Sequence, residues 1–307
     1  MTQVPATPKL RRFLLRQATG GLGAEWALRR IRLTASERAA IRLRRLGRLP
    51  KPPKNPPFTF LIPLVGPKDV TDWDGVTQRL ARTVESLKRQ DYTNWTAYIC
   101  CQERPSIPWS ARVRYLPFRE EVDGNDKWAK LRRLTQALLE QRDDAPDGYA
   151  MSFDADDLLA DGQLSLMAKQ RKRGGYLVTR GYVADIGAGR VALAEPQSLG
   201  NPGQKAFWKL CGSCTAFRYD LKNGPEQEID FLAQTLSHEH RMFPYLADLS
   251  GRPLTPLEDP AVMYLLNHGD NFGARRGRTS FKSRFAQRFE VRDEEQLAEI
   301  RARFPAF

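Results

Sequence analysis

Asp154, Asp156 and Asp157 place three carboxylates within four residues, directly after the apolar run Tyr149–Phe153 and directly before Leu158-Leu159. Core packing gives no reason for this, because each buried charge costs desolvation and the three repel one another. A hard divalent cation removes the conflict. Mg²⁺ or Mn²⁺ takes oxygen ligands, neutralises the cluster and keeps open positions for phosphate oxygens. The pattern therefore predicts a metal–diphosphate site at the end of a buried strand.

Other reactive types are sparse. The three histidines are His238, His240 and His268. His238-Glu239-His240 would put two imidazoles on one face of a strand, but no third ligand stands at a zinc-like spacing. His268 opens the polar turn His268-Gly269-Asp270-Asn271, where it could serve the metal or the diphosphate or simply cap the turn; Arg275-Arg276-Gly277-Arg278 follows as a candidate cationic lid. Cys211-Gly212-Ser213-Cys214 has redox spacing without a redox context. It reads as a small-residue segment that lets the chain approach a substrate. Lys127 and Lys130 are placed to reach phosphate. Neither a Walker loop nor a GxGxxG turn is present, which removes the commonest ATP and NAD readings.

These groups need a scaffold. The 307 residues suffice for one large or two small domains. The formal charge of +13 sits at the ends: residues 1–50 hold twelve Lys/Arg against two Glu, residues 275–307 hold nine against five Asp/Glu, and the stretch between is close to neutral. That excludes a basic groove threading nucleic acid through the body, and no nucleic-acid partner is expected. Residues 1–50 read as a basic amphipathic helical extension, broken at Gly20-Gly21-Leu22-Gly23. It suits an anionic membrane surface, or packing on the main domain. Residues 51–57 are a stiff proline linker, 58–274 the main domain, and 275–307 a basic C-terminal tail or helix. No apolar run is long enough to span a bilayer. No export signal is read, and four cysteines fit a reducing compartment. A cytoplasmic protein, peripheral at the inner face of the plasma membrane, is expected.

Within the main domain, Phe58–Val65 reads as a first buried strand, 76–90 as a helix, Trp95–Cys101 and Val113–Leu116 as strands, and 127–140 as a helix leading to the acidic strand. A helix over 163–173 and strands at Tyr176–Thr179 and Arg190–Ala194 follow. A helix at 226–237 comes next, with His238–Tyr245 leading into a short strand and an apolar run over Ala261–Asn267. The alternation predicts βαβ units in an α/β fold, with ligands at the carboxyl ends of the strands.

The order of these pieces resembles a family. Ile62-Pro63, then Ser86-Leu87-Lys88-Arg89-Gln90-Asp91-Tyr92-Thr93-Asn94-Trp95, then Tyr149–Leu159 are similar to segments of family 2 glycosyltransferases. In that family the last segment is the "DXD" strand end. The resemblance covers about residues 58–160 well and 200–272 loosely. It implies a GT-A fold: a Rossmann-like, mostly parallel sheet flanked by helices. It also implies inverting transfer of a sugar from a nucleotide-diphosphate sugar to a glycan or lipid-linked acceptor, as in surface polysaccharide synthesis, with Mn²⁺ or Mg²⁺. By the family pattern Asp156 binds the metal and Asp154 contacts ribose or base as well as the metal, with His268 a further metal candidate. Pro63, Gln102, Glu103, Lys127, Lys130, Gly212 and Ser213 fall at donor-binding positions. The sequence departs from the pattern twice. Cys100-Cys101-Gln102-Glu103 stands where the family has a base-gripping Asp. The acceptor-side acid pair is also not cleanly present; the nearest acids are Glu228, Asp230 and Glu239, with Glu239 first and Asp230 next as general base. Two other readings compete: nucleotidyl transfer on a similar sheet, and a non-catalytic binding protein on a transferase fold.

Overall fold

The structure is a computed structural model that describes residues 4–267 and 279–307. Among these, β1 (Phe58–Pro63), β2 (Trp95–Cys101), β3 (Val113–Pro117), β4 (Asp147–Ser152), β6 (Gly175–Val178), β9 (Thr215–Asp220) and β10 (Thr255–Leu257) form a seven-stranded sheet in the order β10-β6-β9-β4-β1-β2-β3. β9 runs antiparallel to both neighbours, and every other pairing is parallel. β5 (Leu158–Leu159), β7 (Gly181–Asp185), β8 (Arg190–Ala194) and β11 (Val262–Leu266) form a smaller sheet in the order β5-β11-β7-β8. The α/β class expected from the sequence, a mostly parallel central sheet flanked by helices, is therefore the observed one. β1 is buried at all six positions, as a strand between two parallel neighbours must be, which is why it reads as an unbroken apolar run.

α1 (Lys9–Gly21), α2 (Ala24–Arg30) and α3 (Ala35–Arg44) precede the sheet, and α4 (Trp73–Lys88) connects β1 to β2. α4 starts at Asp72, whose side chain accepts from the Gly75 amide. It buries Val76, Leu80, Val84 and Leu87 on one stripe, each worth roughly 1.5–3 kcal/mol on leaving water. Its polar positions have a second task. Ser86 Oγ accepts from the Leu159 amide at 3.2 Å, Gln90 Nε2 donates to the Ala160 carbonyl at 2.9 Å, and Gln90 Oε1 accepts from the Leu164 amide at 3.1 Å. Thr83 Oγ1 donates to the Ala155 carbonyl at 3.0 Å. The Ser86–Gln90 segment thus clamps the chain that follows the three aspartates.

α5 (Lys127–Glu140) packs on β1 and β2, and α6 (Gln163–Gln170) stops where Arg171 turns left-handed at φ 48°. α7 (Pro225–Leu236) lies against α5 and α3. The expected strand at His238–Tyr245 is instead a 3₁₀ turn over His240–Met242 running into α8 (Phe243–Leu249). Pro244 fits the first turn of a helix, and Phe243, Leu246 and Leu249 recur at helical spacing toward the core. β7, β9 and β10 have no counterpart in the sequence reading.

The two ends of the chain are ordered against the body. The extension forms three helices, with a second break at Ile31–Thr34 beyond the expected one. Glu37 is its hub: fully buried, it closes a capping box with Thr34 and accepts from Arg11 at 3.0 Å and from Thr7 and Tyr245 at 3.1 Å each. At the other end, α9 (Thr279–Arg288) meets β7 and β8. α10 (Glu294–Arg303) follows, and its Ile300, with Phe304 beyond it, fills a second core with Leu158, Tyr182, Met263 and Leu265.

Candidate active site

β1 and β4 are adjacent, and their onward connections run to opposite sides of the sheet: β1 leads to β2 and β3, β4 to the β6–β10 side. Such a reversal opens a crevice at the carboxyl ends of the strands. Leu64–Val70 leaves β1 there, Gln102-Glu103 leaves β2, and Phe153–Asp157 leaves β4. The antiparallel β9 adds a fourth piece. Because Met151 lies opposite Ala216, the residues just before β9, Cys211–Cys214, fall beyond the end of β4. β11 adds a fifth, since Met263 pairs with Leu158 and Tyr264 therefore comes alongside Asp157.

The contacts follow this register. The Asp154 amide donates to Ser213 Oγ at 2.8 Å, and Ser213 in turn donates to Asp157 Oδ2 at 2.5 Å. The Cys211 thiol donates to the same oxygen at 3.0 Å. Asp157 is fully buried, and its Oδ1 has no hydrogen-bond partner among the described residues. Asp154 is partly open and takes the Lys127 ammonium at 2.6 Å. Gly212 lies beside the same carboxylate: a Cβ there would be 3.5 Å from Asp154 Oδ2, an ordinary contact. Lys282, on α9, donates to Tyr264 Oη at 2.5 Å, its ammonium 4.2 Å from the ring centroid.

The electrostatics mark one unit. Burial, then the charges of Asp156 and Asp154, push the Asp157 carboxyl well above the usual range. Burial works against the Lys127 ammonium, yet the three aspartates together raise its pKa. Burial lowers Lys282 against the opposing pull of Cys211 and the same three aspartates. Burial, Cys211 and those aspartates keep Tyr264 a phenol, and burial with Asp157 keeps Cys211 a thiol. His240 is held neutral, its pKa pushed down to about 4 by burial with Lys282 and Arg241 acting the same way. Its ring bonds the Lys209 backbone, leaving Nε2 buried and unpartnered among the described residues.

The residues singled out from sequence divide accordingly. Asp154, Asp156, Lys127, Gly212 and Ser213 are brought together. Pro63 closes β1 opposite Cys100. Gln102 sits at the same edge, where its Nε2 donates to Asp126 Oδ2 at 2.6 Å and its Oε1 would lie 2.7 Å from a Cβ on Gly66. Glu103 follows it and is exposed. Lys130 has a different task from the one its spacing suggested. It is fully buried, and its ammonium is taken up by the Leu64 carbonyl and Asp126 at 2.6 Å each, which fixes the loop after β1 to α5. Asp230 lies midway along α7, where its Oδ1 accepts from Gln234 at 3.3 Å. Glu239 stands immediately before the 3₁₀ turn that delivers His240, and its side chain makes no capping hydrogen bond there. Neither acid is among the main charges acting on Lys127, Asp157, Tyr264 or Lys282. Glu228 is excluded as a base, because both its oxygens are bound by buried Arg252 at 2.6 and 2.7 Å. His268 and Arg275–Arg278 lie outside the described residues. His238 and His240 do not share a strand face: His238 Nε2 meets Ser36 Oγ at 2.6 Å, in the N-terminal extension. Sequence reasoning missed Tyr264, Lys282 and the separate role of His240. The depressed His240 and the cation–phenol pair arise from register between distant segments and leave no local signal.

The donor set suits a hard divalent ion. Oxygen ligands gather at the mouth, and behind them the buried Asp157 has one oxygen without a hydrogen-bond partner among the described residues. Among the described residues no group of three or more His, Cys, Asp or Glu is placed to hold a metal ion. One or two carboxylates, completed by phosphate oxygens and water, is the usual arrangement for Mg²⁺.

Fold and site together define an α/β protein with three clustered aspartates beyond the carboxyl end of β4, at the switch point of a mostly parallel sheet. No family model matches the chain, and no curated protein does. Among solved structures it is similar to the crystal structure of 4-diphosphocytidyl-2C-methyl-D-erythritol synthase, at 14% identity over 73% of this chain and 97% of that one, with a TM-score of 0.33. So distant a likeness carries no weight for the site.

Proposed function

We propose that this protein is an enzyme that binds a nucleotide-diphosphate sugar at the carboxyl edge of β4 and transfers the sugar to a hydroxyl of a glycan or lipid-linked acceptor. The observation that carries the reading is the buried Asp157, left with an unpartnered oxygen beneath Asp154 and Asp156. Ligand-free, that arrangement costs stability. A cation and a diphosphate would offset the cost. Asp156 and Asp154 would hold Mn²⁺ or Mg²⁺, and the ion would supply charge neutralisation for the leaving nucleoside diphosphate. Lys127 and Lys282 bring further positive charge to the same mouth. Ser213 and Cys211 keep Asp157 oriented, and Gly212 gives the donor close approach. Gln102, at the end of β2 beside Gly66, would supply the contact to the base. Inverting transfer needs a proton acceptor for the incoming hydroxyl. Glu239, beside His240 in sequence, is the first candidate carboxylate and Asp230 the alternative, and His240 offers a neutral imidazole.

Nucleotidyl transfer would use the same acids and cation. The loop after β1 speaks against it: Gly66 is packed against Gln102 and Pro67 follows, so this loop is no glycine-rich cradle for a triphosphate. Calorimetry with UDP-, GDP-, CMP- and dTDP-sugars, with and without Mn²⁺, tests the reading. One donor should bind in a metal-dependent way and Asp156→Ala should abolish that binding. Unchanged binding by the variant would remove the metal assignment. Pyrophosphate release from a nucleoside triphosphate, with no sugar nucleotide bound, would replace sugar transfer with nucleotidyl transfer.

A further inference from the structure

We propose that the outward face of α1 docks this protein onto an anionic lipid surface; the inference stands apart from the transfer chemistry. An amphipathic helix packed on a domain normally turns its apolar stripe inward. α1 does the reverse. Leu10, Phe13 and Leu14, at positions i, i+3 and i+4 of one face, are 71, 52 and 57% exposed. The inward face is carried instead by Leu15 and Thr19, by Arg11 bound to Glu37, and by Arg12 over the Tyr245 ring. Leu22 and Trp26 extend the exposed apolar series, at 59 and 39%.

The charge around this face is predominantly positive, and its acids Asp248 and Glu25 are paired with Arg16 and with Arg29 and Arg45. Between residues 4 and 33 the chain holds seven Lys/Arg and a single Glu. Lys9, Arg16, Arg29, Arg30 and Arg32 are exposed. Protruding leucines and an aromatic with a cationic surround match the lipid interface, where apolar side chains enter the acyl boundary and arginines meet headgroup phosphates. Side chains that stand more than half clear of the surface suit insertion into lipid better than burial in a protein pocket. Among the described residues no helix is long and apolar enough to cross a membrane, so the contact is superficial.

The face is also fixed to the site. The Val4 amide donates to the Ser237 carbonyl at 3.1 Å and Ser36 bonds His238 at 2.6 Å, immediately before Glu239 and His240. Docking through α1 would therefore hold the 237–240 segment in a set orientation to the bilayer.

Co-sedimentation of the full chain with phosphatidylcholine vesicles, with and without phosphatidylglycerol, tests this. The wild type should pellet with the anionic vesicles only, and less so as salt rises. Leu10→Gln/Phe13→Gln/Leu14→Gln should partition at least about tenfold more weakly with an unchanged melting temperature, because the three side chains are exposed. Arg30→Gln/Arg32→Gln, which leaves the apolar face intact, should weaken binding to a similar degree, roughly tenfold. Wild-type binding by the triple variant, equal binding to neutral vesicles, or no binding by the wild type would overturn the proposal. So would a wild-type dimer that the triple variant converts to monomer on size exclusion, since a second copy would then be the occupant.

Discussion

Replacing Asp157 with asparagine should stabilise the ligand-free protein and weaken its grip on a nucleoside diphosphate. In the wild type one carboxylate oxygen accepts from Ser213 and Cys211, while the other is buried with no described partner. An unmet buried polar atom costs about 1–3 kcal/mol, more when charged, and Asp154 and Asp156 add repulsion. Asparagine keeps one acceptor for Ser213 and Cys211 and turns the unmet oxygen into an amide donor facing acidic neighbours. Allowing for imperfect geometry, about 1–2 kcal/mol of stabilisation near neutral pH remains, or roughly 1.5–3 °C in Tm for a chain of this size. The pH dependence fixes the sign. The folded state raises the Asp157 pKa, so the stability held by its proton is complete below the ordinary carboxylate value and lost as pH rises toward the folded one. The advantage of asparagine should therefore be larger at about pH 7.5 than at about pH 5. Calorimetric melts at the two pH values, with titration of the metal and nucleotide, read both effects. A variant that melts below the wild type at the higher pH, or a difference that does not shrink on acidification, would refute the idea that this carboxylate is kept for a ligand.

Glu228→Gln should cost about 3–5 kcal/mol in urea denaturation, because it strands the buried Arg252 guanidinium; a loss under 1 kcal/mol, taking roughly the value of an exposed pair, would mean the site is wetter than its burial indicates. Lys282→Met should reduce affinity for the metal-bound nucleoside diphosphate by about tenfold, the usual scale of one charge-assisted contact. An unchanged dissociation constant by calorimetry would remove Lys282 from the binding machinery.

The expected helix over 127–140 coincides with α5, and β1, β2 and β4 lie where their apolar runs placed them. The signal was strong because a parallel strand buried on both faces must be apolar throughout. β9 stayed hidden for the opposite reason. It is a central strand, yet it carries Arg218 and Asp220, and its Arg218 is tolerated only because Asp147 on β4 neutralises it. The strand that His238–Tyr245 is expected to lead into does not form, because Pro244 and the buried spacing of Phe243, Leu246 and Leu249 start a helix there.

By itself the sequence determined that three acids end a buried strand, that small residues and a lysine accompany them, and that the ends of the chain are basic. These are local facts of composition and spacing, and desolvation gives them meaning without any neighbour. Tertiary structure alone decided which acid is buried and half-partnered, that Lys130 serves α5 and the β1 loop, and that α1 turns its apolar face outward. It also brought Tyr264, Lys282 and His240 to the acids. Those outcomes depend on strand register and on packing between segments more than a hundred residues apart in places, as with Lys282 on α9 and the Asp154–Asp157 cluster. No local window of the chain encodes such a distance.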